Sequence, residues 1–556
     1  MKFVDRLKDM SPERWGTVRA MMVAAGVALV FGAVTWRATA VAMGGVHIGD
    51  AKTPGQKADA SARQDIVDRN GELLATSLVI DSVAAAPQEI WDVNEFLDGL
   101  ATVFADLDRD RLHAQMTDPG RKFVWIRRKV SPRQRQALFD LGLEGLRFEK
   151  EVQRIYTGGS LAGHLLGYTD IDSRGIAGLE LAHDTQLSVG KAPLKLTIDS
   201  GVQFALEDEL RFASEAFKIK GAAGIVLDAR TGAVRAIASW PEMDPNRPAD
   251  ASPEARLNRV IGGLYELGSV FKPLTVASAL EAGVLHPSDT FDLTEPLHVG
   301  RTVISDDHPI AARADVSDIL AHSSNIGTVR ISQLLEARRQ TDFYDALGFF
   351  ERPNVVFPGA AIPLVPDEWN ELSLATASYG HGIAISPLAL ATAYTAVANG
   401  GEMVRPRFVE LGPYDEFERK RVMSAPTAAV VAEMMRKVVT DGTGSRADVY
   451  GYEVAGKTGT AEKPIPGGYA QDRNISSFIS LFPASRPEYV VLIVLDEPEA
   501  HAGQTGETAA LNAAPVTGRL IARIAPMLDV KPVLDTTHRP SGFQPGASAV
   551  SDKRAL

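Results

Sequence analysis

The stretch Glu266-Leu-Gly-Ser-Val-Phe-Lys-Pro273 leaves its backbone few choices. Gly268 permits a tight turn. Pro273 lacks an N–H, and a helix tolerates that only in its first turn. Phe271, Leu274 and Ala277 recur as on one helix face, and Gly283 supplies a stop. A helix therefore starts at or near Ser269. Residues three apart share a face, so the Lys272 amine can reach the Ser269 hydroxyl. A weak nucleophile beside a base is the arrangement of an activated serine. Ser-x-x-Lys alone is a weak signal, because Ser188-Val-Gly-Lys191 repeats it. That copy falls in a Gly/Pro turn before a strand, with no helix expected to align the pair.

At 556 residues the chain exceeds one typical core, so two or more domains are expected. A net charge of −12 argues against nucleic acid as a partner, since phosphates need a basic surface. There is no cysteine, which excludes disulfides, thiolate catalysis and Cys-ligated zinc. Ala20 to Trp36 is uncharged and mostly apolar, bounded by Arg19 and Arg37. Its length is at the lower limit for a helical span, and apolar residues resume from Ala38 to Met43. A single transmembrane anchor over 20–43 is expected. The leader 1–19 carries Lys2, Arg6, Lys8, Arg14 and Arg19, which places it in the cytoplasm and the remaining chain outside. A cleaved signal peptide is the rival reading, with a weak Ala-x-Ala site near Ala38 to Ala42.

A polar linker covers 44–62. From 63 to 195, short helical and strand-like patterns alternate, with Asn70-Gly71 as a hairpin turn and no catalytic cluster. This reads as an α+β spacer or docking domain. A second domain, 196–530, opens with a hairpin, Gly224 to Leu227 and Val234 to Ala238. A helix-rich block follows from Asp315 to Gly400. Strands return at Tyr452 to Gly456, Ile475 to Phe482 and Tyr489 to Leu495, and an amphipathic helix, Pro515 to Leu528, closes the domain. The pattern predicts an α/β fold, an antiparallel sheet covered by helices. The tail 531–556, rich in Pro, Ser, Gly and Ala, is expected to be disordered.

Two further clusters follow Ser269 and Lys272. Ser323-Ser-Asn325 supplies a hydroxyl for proton relay and a carboxamide able to bind a peptide amide. Read alone, it equally suits a helix cap. Lys457-Thr-Gly-Thr460 offers a cation, two hydroxyls for a carboxylate, and Gly459, where an extended peptide could approach a strand edge. Read alone, it equally suits a turn after a strand. Together, in this order, Ser-x-x-Lys, Ser-x-Asn and Lys-Thr-Gly form the set of penicillin-interacting serine enzymes.

With these motifs the chain resembles the class B penicillin-binding proteins, in particular their cell-division transpeptidases, from the anchor to about residue 530. Asn258-Arg259, Gly380-His-Gly382, Ser386-Pro387 and Gly442-Thr-Gly444 extend the likeness. So do Arg63, Asp68-Arg69-x-Gly71 and Gly178-Leu-Glu180 in the first domain, which resembles a pedestal or dimerisation domain. Gln64, Thr157 and Leu267 depart from the family pattern without removing a catalytic group. The resemblance implies a peptidoglycan DD-transpeptidase with Ser269 as nucleophile and Lys272 as base. Ser323, Asn325 and Lys457 complete the machinery, and Thr458, Gly459 and Thr460 bind substrate. It implies stem peptides and β-lactams as ligands, and no metal or organic cofactor. It also implies a membrane partner of the FtsW glycosyltransferase type, other divisome proteins, and single-pass anchoring in a bacterial inner membrane with a periplasmic catalytic domain. Three rivals share features with this reading. A class A β-lactamase needs a Glu-x-x-Leu-Asn loop between the second and third motifs. Here that string, Glu254 to Asn258, precedes the nucleophile, and Glu368 and Glu371 fall in the right interval without that pattern. An elongation transpeptidase and a catalytically silent division scaffold are the others.

Overall fold

The computed structural model describes residues 63–308, 310–412, 415–465, 467–500 and 507–533, and residue 32. The expected leader, linker, all but one residue of the anchor, and the tail from 534 lie outside the described residues. Among the described residues no helix is long and apolar enough to cross a membrane.

The first part of the chain builds a sheet from β1 (Ile66–Val67), β2 (Leu73–Ala85), β3 (Val124–Val130), β4 (Leu146–Tyr156) and β5 (Leu194–Lys195). The Asn70-Gly71 turn closes the β1–β2 hairpin as expected, with Gly71 at φ +91. Helices α1 (Val93–Val103), α2 (Arg109–Met116) and α3 (Pro132–Asp140) bury Leu97, Leu100, Leu112 and Leu138 against Val83, Val124 and Ile126 of the strands. The motif residues of this region meet in one ion cluster. Glu180 is fully buried and accepts from Arg63 Nε at 2.9 Å and from Arg154 Nε at 2.6 Å. Arg63 also reaches Asp184 at 2.6 Å. Ser188 sits on a short helix, Asp184–Val189, and takes a hydrogen bond from Arg63 at 3.1 Å. The expectation of a helix-free turn there was wrong. Gly190 separates this helix from Lys191, and Ser188 is part of the ion cluster's shell.

Asp68 joins the two parts. One carboxylate oxygen accepts from Asn70 N and Glu72 N within the hairpin. The other accepts from Ser200 N at 3.1 Å and Ser200 Oγ at 2.9 Å, at the start of helix α4 (Ser200–Phe217).

The second part is organised by an antiparallel sheet of five strands in the order β8-β9-β10-β6-β7. These are β6 (Gly221–Asp228), β7 (Val234–Trp240), β8 (Ala455–Ile465), β9 (Gly468–Phe482) and β10 (Tyr489–Asp496). Both faces are covered, so the inner strands β6 and β10 are buried along their whole length rather than alternating. Val491, Ile493 and Leu495 of β10 pack under α4 and α10 (Ala513–Met527), while Val490, Leu492 and Val494 point to the opposite core. On that second face lie α5 (Lys272–Glu281), α8 (Pro387–Ala398) and α9 (Ala425–Thr440), with Leu274, Leu388 and Val431 in the core. Between α5 and α8 come α6 (Val316–Ala321) and α7 (Asn325–Ser332). The hairpin, the helical block, the sheet and the closing helix follow the sequence reading. The strand expected at Tyr452 to Gly456 instead starts at Ala455 and runs on to Ile465. Lys457-Thr-Gly-Thr460 therefore lies inside a strand, not at its end.

Removing one partner of a buried ion cluster strands the others without compensation. Glu180→Ala should lower stability of the first domain by about 3 kcal/mol, read as an earlier urea midpoint, while acylation by penicillin persists. An unchanged midpoint would show that the cluster adds nothing to stability.

Candidate active site

The turn that carries Ser269 is a single 3-10 turn, Gly268–Phe271, that runs directly into α5. Gly268 has φ +63, and a Cβ there would meet the Thr460 carbonyl at 3.0 Å and Ala461 Cβ at 3.2 Å. Only glycine fits this close approach to β8. The Gly268 N–H donates to Gly380 O at 3.2 Å, and Tyr394 Oη–H to Val270 O at 2.6 Å. Ser269 is thus held partly exposed on the outer side of the turn.

Gly459 answers Gly268 from the strand side. A Cβ on Gly459 would collide with Leu267 O and the Ser477 hydroxyl, and would meet Val270 Cγ1 at 3.0 Å. The space spared by this glycine is filled by the Ser269 turn itself, not by a substrate peptide as expected. Strand β8 ends the sheet, pairing only with β9 among the described residues. Its other edge runs past the turn of Ser269.

The three motifs converge on the side chain of Ser323. Lys272 Nζ donates to Asn325 Oδ1 at 2.7 Å, to Ser323 O at 2.5 Å and to Ser323 Oγ at 3.2 Å. Lys457 Nζ donates to the same Oγ at 2.9 Å. Both amines are fully buried. Burial pulls Lys272 down to about 7, and the nearby carboxylates of Asp306 and Asp307 pull it upward. Burial, then the charge of Lys272, holds Lys457 well below an ordinary lysine. Among the described residues the Ser269 hydroxyl takes no hydrogen bond, from Lys272 or elsewhere. The i, i+3 spacing shares a face, as expected, but the three acceptors around Lys272 already use every N–H of its ammonium form.

Ser323 is strained. Helix α6 ends with Ser323 N–H on Leu320 O at 3.2 Å and Ser324 N–H on Ile319 O at 2.9 Å. This crossed pair is the stop that usually carries glycine at its left-handed position. Here Ser323 takes it, at φ +62. Ser324 does the capping, accepting from Gly327 N at 2.8 Å to open α7. The capping reading of Ser323-Ser-Asn325 therefore holds, on Ser324. Asn325 does not present a free carboxamide: its Nδ2 donates to Ser305 O at 3.0 Å and its Oδ1 serves Lys272.

The Thr458 hydroxyl takes a long hydrogen bond from Lys457 Nζ, at 3.4 Å. Thr458 Oγ1 shares a 2.8 Å hydrogen bond with Thr443 Oγ1 of the Gly442-Thr-Gly444 turn. Thr460 Oγ1 accepts from Ala509 N at 3.1 Å. Asp306 and Tyr469 escaped the sequence reading, and Glu266 and His381 were quoted there without a role. Asp306 accepts from Ser324 Oγ, Asn325 N and Ile326 N. Glu266, whose burial raises its carboxyl, takes Tyr469 Oη–H at 3.0 Å. His381 meets the Tyr469 ring edge-on, with centroids 5.9 Å apart, and is pushed down to about 4 by burial and by Lys272. No spacing rule links Asp306 or Tyr469 to the motifs. Among the described residues no cluster suited to a metal ion occurs.

Comparison with known proteins follows the same lines. Residues 222–517 match the penicillin binding protein transpeptidase domain, and residues 58–203 the penicillin-binding protein dimerisation domain. The chain is 40% identical to a probable peptidoglycan D,D-transpeptidase FtsI of Caulobacter vibrioides, over 84% of this chain and 82% of that protein. It is 28% identical to the peptidoglycan D,D-transpeptidase FtsI of Escherichia coli K12, over 92% and 91%. Among solved structures, penicillin binding protein 3 of Mycobacterium tuberculosis complexed with aztreonam matches with TM-score 0.67 and 26% identity, covering 85% of this chain and 98% of that one.

Ser323→Gly and Ser323→Ala both remove the hydroxyl, but only glycine relieves the left-handed backbone. The Gly variant should be more stable than the Ala variant by about 1 kcal/mol, measured by thermal unfolding. Equal or reversed melting temperatures would show that the turn carries no strain.

Proposed function

This chain belongs to the class B penicillin-binding proteins, peptidoglycan D,D-transpeptidases with a dimerisation domain, and from that premise we propose how its residues divide the work and where it acts. The reading rests on one observation: Lys272, Ser323 and Lys457, from three separate elements, share one hydrogen-bonded centre beside Ser269. Ser269 Oγ attacks the carbonyl between the two D-Ala residues of a stem peptide laid along the open edge of β8. Lys272, neutral, takes the hydroxyl proton, letting go of one of its three acceptors to do so. A lysine depressed to about 7 is neutral in useful amount near neutral pH.

The backbone N–H groups of Ser269 and Thr460 hold the tetrahedral oxyanion, each worth roughly 3 kcal/mol in the barrier. The C–N bond then breaks. D-Ala leaves with a proton relayed from Lys272 through Ser323 Oγ, whose hydroxyl touches both amines. The amine of a second stem peptide attacks the Ser269 ester, returns its proton by the same route and forms the crosslink. Lys457 supplies N–H donors toward the substrate carboxylate, and Thr458 its hydroxyl. Asn325 acts first on Lys272, because its oxygen is already committed there.

The setting is septal wall synthesis. The apolar stretch 20–43 anchors the chain in a bacterial inner membrane with the catalytic domain in the periplasm. The partners are an FtsW-type glycosyltransferase and other divisome proteins, engaged through the anchor and the first domain. Support comes from the positively charged leader and the division-type relatives.

Glu368 and Glu371, which lie between the second and third motifs, are exposed, which does not suit a base that drives water onto a buried ester. Purified protein mixed with penicillin should therefore show one stoichiometric burst and then almost no turnover. Peptide mapping should find the adduct on Ser269 alone, and Ser269→Ala should take no label. Sustained hydrolysis at roughly 1–10³ s⁻¹ would make the protein a β-lactamase, and an adduct at Ser188 would overturn the nucleophile.

A further inference from the structure

The turn that carries Ser323 and Asn325 is not held by its own helix alone. It is clamped from outside by the loop after the strand Thr302–Ile304. One Asp306 oxygen accepts from Asn325 N at 2.5 Å and Ile326 N at 3.0 Å, and the other accepts from Ser324 Oγ at 2.8 Å. The preceding residue contributes its carbonyl: Ser305 O takes Asn325 Nδ2 at 3.0 Å. The two N–H groups are unpaired donors at the start of α7, where a carboxylate is favoured. Asn325 then passes the constraint inward, since its Oδ1 is fixed by the same carboxamide that Ser305 orients, and that oxygen holds Lys272 Nζ.

We propose that Asp306 is a positioning residue for the transpeptidase reaction, fixing the Ser323–Asn325 turn through its hydrogen bonds and setting the charge balance of Lys272 through its carboxylate. The inference rests on the reading of Lys272 as the base. The two roles are separable by chemistry. The hydrogen bonds keep a left-handed Ser323 and an oriented Asn325 in place against the strain of the turn. The charge favours the ammonium form of Lys272, against burial. The other charged and titratable groups facing that amine are Asp307 from the same loop, Lys457 from β8 and His381 from the loop after residues 371–378. Asp307 is exposed and makes no hydrogen bond to the turn among the described residues. Asp306 is the one carboxylate of this set that both touches the turn and faces the lysine.

The sign follows from the charge. Removing a negative charge near an ammonium disfavours the ammonium, so the amine becomes neutral at lower pH. Asp306→Asn keeps an acceptor oxygen for the α7 N–H groups and loses the charge. Asp306→Ala loses both.

The test is the second-order rate of acylation of the full-length protein by a chromogenic penicillin, followed across about pH 5 to 9. Wild type should show a rate that rises through a single ionisation near 7. Asp306→Asn should move that rise about one pH unit toward acid and keep most of the plateau. Asp306→Ala should move it equally and drop the plateau by about tenfold or more, the scale of a misplaced catalytic group. A rise left at the wild-type pH in Asp306→Asn would overturn the inference while leaving Lys272 as the base. A wild type with no ionisation in this range would overturn the Lys272 reading and this inference with it. Asp306→Asn decides the question even if the alanine variant does not fold.

Discussion

Two buried lysine amines share one serine hydroxyl, and the fold exists around that fact. In this water-poor site burial drives both amines toward the neutral form, and the charge of Lys272 adds to it at Lys457. Neither lysine is stabilising in itself. Each is tolerable only because acceptors are brought to it: Ser323 O, Ser323 Oγ and Asn325 Oδ1 for Lys272, and Ser323 Oγ and Thr458 O for Lys457. These groups come from a helix start, a helix stop and an edge strand, far apart in sequence. The apolar sheet and its two helical layers supply the rigidity that keeps them together.

The glycines mark where that rigidity is achieved by contact. Gly268 and Gly459 let the Ser269 turn press against β8, and Gly380 lets the following loop press on Gly268 from behind. The strain left over is concentrated at Ser323, where a side chain occupies a glycine's conformation. Strain at such a position persists only when the surroundings over-determine it. The Asp306 clamp and the two lysines are those surroundings. At the other end of the chain, Asp68 and the Arg63–Glu180–Arg154 cluster tie the first domain into a unit that meets the start of α4.

Much of this was legible from residue spacing. The Pro273 and Gly283 punctuation marked out α5, the Asn70-Gly71 turn located the first hairpin, and the three motifs named the side chains that meet at the centre. Periodicity failed where tertiary contact took over. It ended the third motif's strand too early, because Tyr452 to Gly456 is more apolar than the strand that follows. It gave Gly459 to the substrate, when the neighbour that needs the room is Leu267. It offered Asn325, Thr458 and Thr460 as free binding groups, yet each already has a partner supplied by a distant loop: Ser305, Thr443 and Ala509. Asp306 left no trace, since an aspartate in a loop carries no periodic or motif signal.

The central claim is that burial makes Lys272 a base near neutral pH. Carbon NMR of lysine-labelled protein reports this directly, with the Lys272 Cε signal assigned by its loss in Lys272→Arg and followed through a pH titration. The account predicts a midpoint near 7. A midpoint near 10.5, that of an ordinary lysine, would contradict it.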